Sequence, residues 1–257
     1  MSLPVVELFY SLQGEGRYAG TPSLFIRLGG CNLGCPGFGC LSPSPRDGSL
    51  LQGCDTLRAV DKKHFGHLWR SFEDSNELKA ACTKLLADER APARWHCVIT
   101  GGEPVLHFTN PILYDLITWL VDCHIPVTIE TNATVPIDFT RYPAYTHLFY
   151  SMSVKLANSG EAYDRRVRPE VITSYATHGT EAWLKFVVSR HNLDAQVAEI
   201  KAISSIAPAV EVYLMPLGST PSELEANAPA VFELCRRHGW RYSDRIHIRL
   251  FGNRGGI

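Results

Sequence analysis

A chain of 257 residues, 45% of them hydrophobic and 20% charged, can bury one good-sized core, and one elaborated α/β domain over 1–257 accounts for that length better than two small ones. Its formal net charge of −1 provides no large overall field for nucleic acid or an anionic membrane, a local basic patch aside, which makes a small molecule the expected partner. No apolar run approaches the ~20 residues of a membrane span, and the start MSLPVVELFY lacks the basic and apolar regions of a secretory leader, so the expected compartment is the cytoplasm.

Along the chain, strand-like runs occur at 23–29 (SLFIRLG), 96–102 (HCVITGG), 126–131 (PVTIET), 147–154 (HLFYSMSV), 182–189 (AWLKFVVS) and 210–216 (VEVYLMP). Helical patterns lie between several of them, including 110–123 and the acidic-to-basic stretch 222–239, which ends on a glycine in the C-cap role. Strands alternating with helices predict parallel βαβ units. About six such strands suit a partial, abbreviated (βα)6-type barrel rather than a complete eight-stranded one. The segment 36–53, PGFGCLSPSPRDGSLLQG, is rich in Gly, Pro and Ser without sustained periodicity and reads as a loop.

Eight cysteines are present, and four of them, Cys82, Cys97, Cys123 and Cys235, stand singly among apolar residues as small buried hydrophobes do. The other four are clustered. GGCNLGCPGFGC follows the first predicted strand and places Cys31, Cys35 and Cys40 at its C-terminal end, with Cys54 in GCDT fourteen residues beyond Cys40. Barrel folds keep their chemistry at that end of their strands. Three thiolates would hold a 4Fe-4S cubane and leave its fourth iron open; four closed ligands would instead make a structural zinc loop.

Read together and in order, FYSLQGEG (9–16), FIRLGGCNLGC (25–35), CDT (54–56), ITGGEP (99–104), IETN (129–132), SVK (153–155), LKFVV (184–188) and HIRLFGNRGGI (247–257) resemble the 7-carboxy-7-deazaguanine synthase family of radical S-adenosylmethionine (SAM) enzymes. The match runs from residue 7 to the C-terminus and leaves 36–53 and parts of 60–95 and 157–180 uncovered. The family closes its cysteine motif with Cys-Asp-Thr. Here eighteen residues separate Cys35 from Cys54, an insertion that costs little closure entropy. Cys40 rivals Cys54 as third ligand, and the resemblance favours Cys54 because only it precedes Asp-Thr.

The resemblance implies a barrel of the radical SAM kind in which Cys31, Cys35 and Cys54 hold a 4Fe-4S cluster and Thr56 holds Mg²⁺. SAM would meet Gly53, Asp55, Gly102, Glu103, Ser153, Val154, Lys155, Met215, Pro216, Leu217 and Gly218. Val154 and Met215 replace the family's usual Pro and Gln, so side-chain contacts to SAM differ there. A pterin-like substrate would be held by Leu12, Gln13, Gly14, Arg27, Thr100 and Ile257, with Glu130 moving protons during the rearrangement. Arg27, a charge on an otherwise apolar strand, needs a partner, and a substrate carboxylate would supply one. Each residue also has a plainer reading: ITGGEP as a strand-to-helix turn, Thr56 as a helix N-cap, Glu130 as a salt-bridged carboxylate, His247 as a satisfied core histidine on an apolar strand.

The implied reaction starts with reductive cleavage of SAM to a 5′-deoxyadenosyl radical, which takes hydrogen from C6 of 6-carboxy-5,6,7,8-tetrahydropterin. Ring contraction and loss of ammonia then give 7-carboxy-7-deazaguanine, and SAM acts catalytically. A flavodoxin-type electron donor and a homodimer go with that reading, and the tail 240–257 would fold over the active site. Two other classes compete: an activating enzyme for a glycyl-radical partner, which needs no small-molecule clamp such as Gln13 and Arg27, and a zinc-binding module, in which GGEP and IETN have no task.

Overall fold

The computed structural model describes residues 2–252 and 254–256. In chain order the strands are β1 (Leu3–Leu12), β2 (Pro22–Leu28), β3 (Cys40–Pro43), β4 (Leu50–Gly53), β5 (Arg70–Phe72), β6 (His96–Gly101), β7 (Val127–Thr131), β8 (Phe149–Met152), β9 (Glu181–Val188), β10 (Glu211–Pro216) and β11 (Arg241–Tyr242). The helices are α1 (Leu57–Val60), α2 (Lys62–Phe65), α3 (Ser75–Asp88), α4 (Pro111–Asp122), α5 (Tyr163–Arg166), α6 (Pro169–His178), α7 (Leu193–Ser204), α8 (Pro221–His238) and α9 (Ile246–Phe251).

Nine strands form one sheet in the order β11-β10-β9-β8-β7-β6-β2-β1-β5. From β2 to β11 every neighbouring pair is parallel, whereas β1 runs antiparallel to β2 and to β5. The six predicted strands are thus β2 and β6–β10, adjacent and parallel. Their apolar runs are near-continuous because helices cover one face while side chains facing away from the helices fill the other. Leu24, Ile26, Ile99, Ile129, Leu184 and Phe186 are fully buried in the resulting core.

The two predicted helices are bounded by their caps. Asn110 accepts from the Ile112 amide ahead of Pro111 at the start of α4. α8 opens with a Thr220–Glu223 capping box and closes on Gly239 at φ 70. Among the described residues no helix is long and apolar enough to cross a membrane.

Three elements differ from expectation. β1 is a ten-residue strand at the edge of the parallel array. The segment read as a loop carries the hairpin β3–β4, with Cys40 opposite Gly53. His247 lies on the short helix α9 rather than on a strand; at its start the Ile246 amide donates to the Gly14 carbonyl at 3.1 Å.

Candidate active site

A cavity opens at the C-terminal ends of the parallel strands. Its floor comes from the β1–β2 pairing, where side chains opposite one another share a face: Phe9 faces Phe25 and Glu7 faces Arg27. The phenyl rings stack flat, with centroids 4.7 Å apart and 3° between planes. Beyond them Glu7 Oε2 accepts from Arg27 Nε at 2.8 Å. Arg27 therefore has a partner within the protein beside any substrate carboxylate; it still lines the cavity, as does its β6 neighbour Thr100.

The thiols of Cys31, Cys35 and Cys54 line one end of the cavity, and Cys40 does too, because the hairpin carries it beside Cys54. Burial pushes the Cys31 thiol up to about 12 and those of Cys35 and Cys40 up to about 11; Cys54 is raised for the same reason. Bare thiolates are therefore unfavourable here, and bound metal would compensate them while displacing protons. The Leu33 amide donates toward Cys31 Sγ at 3.4 Å. Among the described residues no three His, Cys, Asp or Glu side chains converge on one point. A cubane's thiolates, each on a different iron, stand farther apart than those of a single zinc. The donor set fits a 4Fe-4S cluster on three of these thiols. Thr56 sits at the N-cap of α1, yet its hydroxyl makes no cap bond and donates to Asp55 Oδ1 at 3.2 Å on the cavity wall.

Opposite the floor is a connected polar network. Gln13 Nε2 donates to Glu130 Oε1 at 3.3 Å, and Lys185 lies 2.8 Å from Glu15 and 3.8 Å from Glu130. Arg245 joins three segments: Nε to Glu15 at 2.9 Å, Nη2 to Asp55 at 2.5 Å and Nη1 to the Gly218 carbonyl at 2.6 Å. Burial works against the charge of Glu15, but Lys185, Arg245 and His247 overcome it and hold the carboxyl well below its usual range. Asp55 is likewise held low, Arg245 outweighing its desolvation. Lys185 is shifted up, because Glu15 and Glu130 outweigh the cost of its burial. His247 covers Gly14 so closely that a Cβ there would come within 2.2 Å of its Nδ1. Glu15, Lys185, Arg245 and His247 were not singled out as site residues from sequence; the block QGEG and the Lys of LKFVV were the available signals.

Leu12, Gln13, Gly14, Asp55, Glu130, Ser153, Lys155, Met215, Leu217 and Gly218 all line the cavity. Lys155 Nζ donates to Ser153 Oγ at 3.0 Å. Four expected contacts lie elsewhere. Glu103 is fully buried and spends its carboxylate on the amides of Val105 and Asn132 and the Thr131 hydroxyl, so it fastens β6 to β7. Val154 packs into the core and Pro216 pairs with Val188 inside the sheet. Gly53 has its missing Cβ position filled by Leu57 Cδ2 at 2.7 Å. The amides of Gly102 and Glu103 donate to the Leu28 and Gly30 carbonyls. Gly102 lines the cavity, but its lack of a side chain serves chain packing, for a Cβ would meet Gly30 O at 2.3 Å. Ile257 lies outside the described residues.

No family model matches the chain. It is 33% identical over 276 residues to the 7-carboxy-7-deazaguanine synthase of Halobacterium salinarum, covering 98% of this chain and 91% of that one. The crystal structure of QueE from Escherichia coli superimposes with a TM-score of 0.64 at 25% identity, over 96% of this chain and 95% of that one. The structure of Streptococcus suis SuiB bound to S-adenosylmethionine shares the fold, with a TM-score of 0.51 at 12% identity over 74% of this chain and 47% of that one.

Proposed function

The chain belongs to the 7-carboxy-7-deazaguanine synthase family, a radical SAM lyase family of deazapurine biosynthesis that uses SAM and a 4Fe-4S cluster, and on that premise we propose that its cavity converts 6-carboxy-5,6,7,8-tetrahydropterin to 7-carboxy-7-deazaguanine with loss of ammonia. The observation that carries the substrate is the floor. A stacked phenyl pair beside a guanidinium suits a pterin whose flat pyrimidine ring packs on an aromatic face and whose reduced ring bears a carboxylate.

Cys31, Cys35 and Cys54 would hold the cluster, and Ser153, Lys155, Met215, Leu217 and Gly218 would line the place of SAM. When bound, the two supply the one-electron chemistry that activates the substrate. The chain's own residues orient and move protons. Gln13 and the backbone at Gly14 take the amide edge of the ring, Arg27 the carboxylate, and Thr100 a ring edge. Glu130, linked to Gln13 and Lys185, is placed to exchange a proton with the substrate, while Lys185 stays charged between two carboxylates. Thr56 would contribute a hydroxyl to a Mg²⁺ that also takes the substrate carboxylate. A flavodoxin-type donor and a homodimer rest on the resemblance.

Anaerobically reconstituted protein should bind about four irons and four sulfides. Given reductant, SAM and Mg²⁺, it should turn 6-carboxytetrahydropterin over to the deazaguanine without net consumption of SAM. Zinc in place of iron, or SAM cleavage that leaves the pterin untouched, would refute the assignment.

A further inference from the structure

Two guanidiniums meet at the end of the cavity floor. Glu7 offers one oxygen to Arg27 Nε and the other, at 3.1 Å, to Arg58 Nη2, so one carboxylate is shared by two cations and a positive charge is left over. Arg58 lines the cavity on α1, two residues beyond Thr56. Its backbone is fixed: the carbonyl accepts from Trp69 Nε1 at 2.8 Å, and the Trp69 ring lies where a Cβ on Gly29 would be, 2.5 Å away. The next carbonyl, of Ala59, accepts from the Gly30 amide at 2.7 Å. The side chain remains 40% exposed, and the tail closes on it at Gly255, where a Cβ would stand 2.1 Å from Nη1. The two guanidiniums share a single carboxylate, so a second anion in the cavity would complete their charge pairing.

We propose that Arg58 is a specificity residue that binds the substrate carboxylate together with Arg27, with Glu7 as the hub that holds the two guanidiniums apart and aimed. The inference rests on the reading of the cavity as a 6-carboxytetrahydropterin site. Two planar forks around one carboxylate discriminate against a neutral group more than one fork does, because a neutral ligand leaves the surplus positive charge of the Arg27–Glu7–Arg58 cluster unpaired.

The test compares binding of 6-carboxy-5,6,7,8-tetrahydropterin and of its neutral 6-carboxamide by calorimetry, using reconstituted enzyme with SAM present and reductant omitted, so that nothing turns over. Arg58→Met should weaken the carboxylate about 10- to 100-fold and the carboxamide hardly at all, as expected for removing one partner of a charge pair at a partly exposed site. Arg58→Lys, which keeps the charge and the stem, should fall between and stands in for the Met variant if that fails to fold. Unchanged carboxylate binding, or equal losses for the two ligands, overturns the role of Arg58. Wild-type enzyme that binds the two ligands equally removes the carboxylate clamp but leaves the pterin site standing. Wild-type enzyme that binds neither removes the substrate reading and the clamp with it.

Discussion

Cys40 and Cys54 pose the sharpest question at the scale of single residues, because hairpin pairing brings the two thiols to the same cavity wall. Their surroundings differ. Cys54 Sγ lies 3.6 Å from the Thr56 hydroxyl and is followed by Asp55, which Arg245 anchors at 2.5 Å; Cys40 Sγ lies 3.9 Å from the Phe38 carbonyl and has the Ser219 side chain as a second partner. An anchored backbone favours Cys54 as the cluster ligand, since a ligand whose loop is held loses little entropy on binding. Cys54→Ala should abolish iron retention and SAM cleavage, while Cys40→Ala should leave both near wild type. The opposite result, read from iron content and the electron paramagnetic resonance of the reduced cluster, would transfer the third ligand to Cys40. Arg27 shows the limit of single-residue reading: an arginine on an apolar strand demanded an anion, but only the register of β1, a strand not recognised from sequence, reveals that Glu7 provides it.

At the scale of elements, the junction of β6 with β2 carries the cysteine loop. Gly102 is pressed against that loop: a Cβ would approach Gly30 O to 2.3 Å and Cys31 Cβ to 2.9 Å, distances that real side chains do not reach. Gly102→Ala should therefore displace Cys31 and lower iron retention severalfold, in a protein whose secondary structure is unchanged by circular dichroism. Gly34→Ala is the control within the same loop, since its Cβ would meet only Glu161 Oε1 at an ordinary 3.7 Å. Equal iron contents in the two variants would contradict this account. The central strands and α4 and α8 were legible because continuous apolar runs and explicit caps mark them. β3–β4 was not, because its two four-residue strands hold mainly to each other and its outer positions, Leu41 at 59% and Leu50 at 65% exposure, follow no buried pattern. The sequence of α9 looks strand-like because its two isoleucines and Phe suit a strand as well as a helix; its start is held by tertiary contacts, the Ile246 amide donating to the Gly14 carbonyl and Arg245 bridging Glu15 and Asp55.

Over the whole molecule, the cavity is assembled from residues far apart in the chain: 117 positions separate Gln13 from Glu130, and 230 separate Glu15 from Arg245. Family blocks named several of these residues, but no local pattern could pair them. The same long-range packing makes stability depend on pH in a predictable direction. His96, on β6, is 3% exposed and shares a 2.7 Å hydrogen bond with the Thr128 hydroxyl of β7. Burial lowers it to about 4, whereas an unfolded chain's histidine protonates near 6.5. Between those values the unfolded state takes up a proton that the folded state refuses, so stability is intact above pH ~6.5 and falls as the pH drops toward 4. The slope reaches at most about 1.4 kcal/mol per pH unit and the total by pH 4 roughly 3 kcal/mol. His107 and His247, also lowered by burial, add loss of the same sign. Glu15 and Asp55, held low when folded, add theirs from about pH 5 downward, as their unfolded forms protonate; His96→Gln shares that loss with wild type. His96→Gln keeps a hydrogen-bonding group near Thr128 but cannot titrate. Urea midpoints of wild type and His96→Gln, taken from pH 7 to pH 4, should therefore converge as the pH falls, and curves that run parallel throughout would mean that His96 is not held neutral in the folded protein.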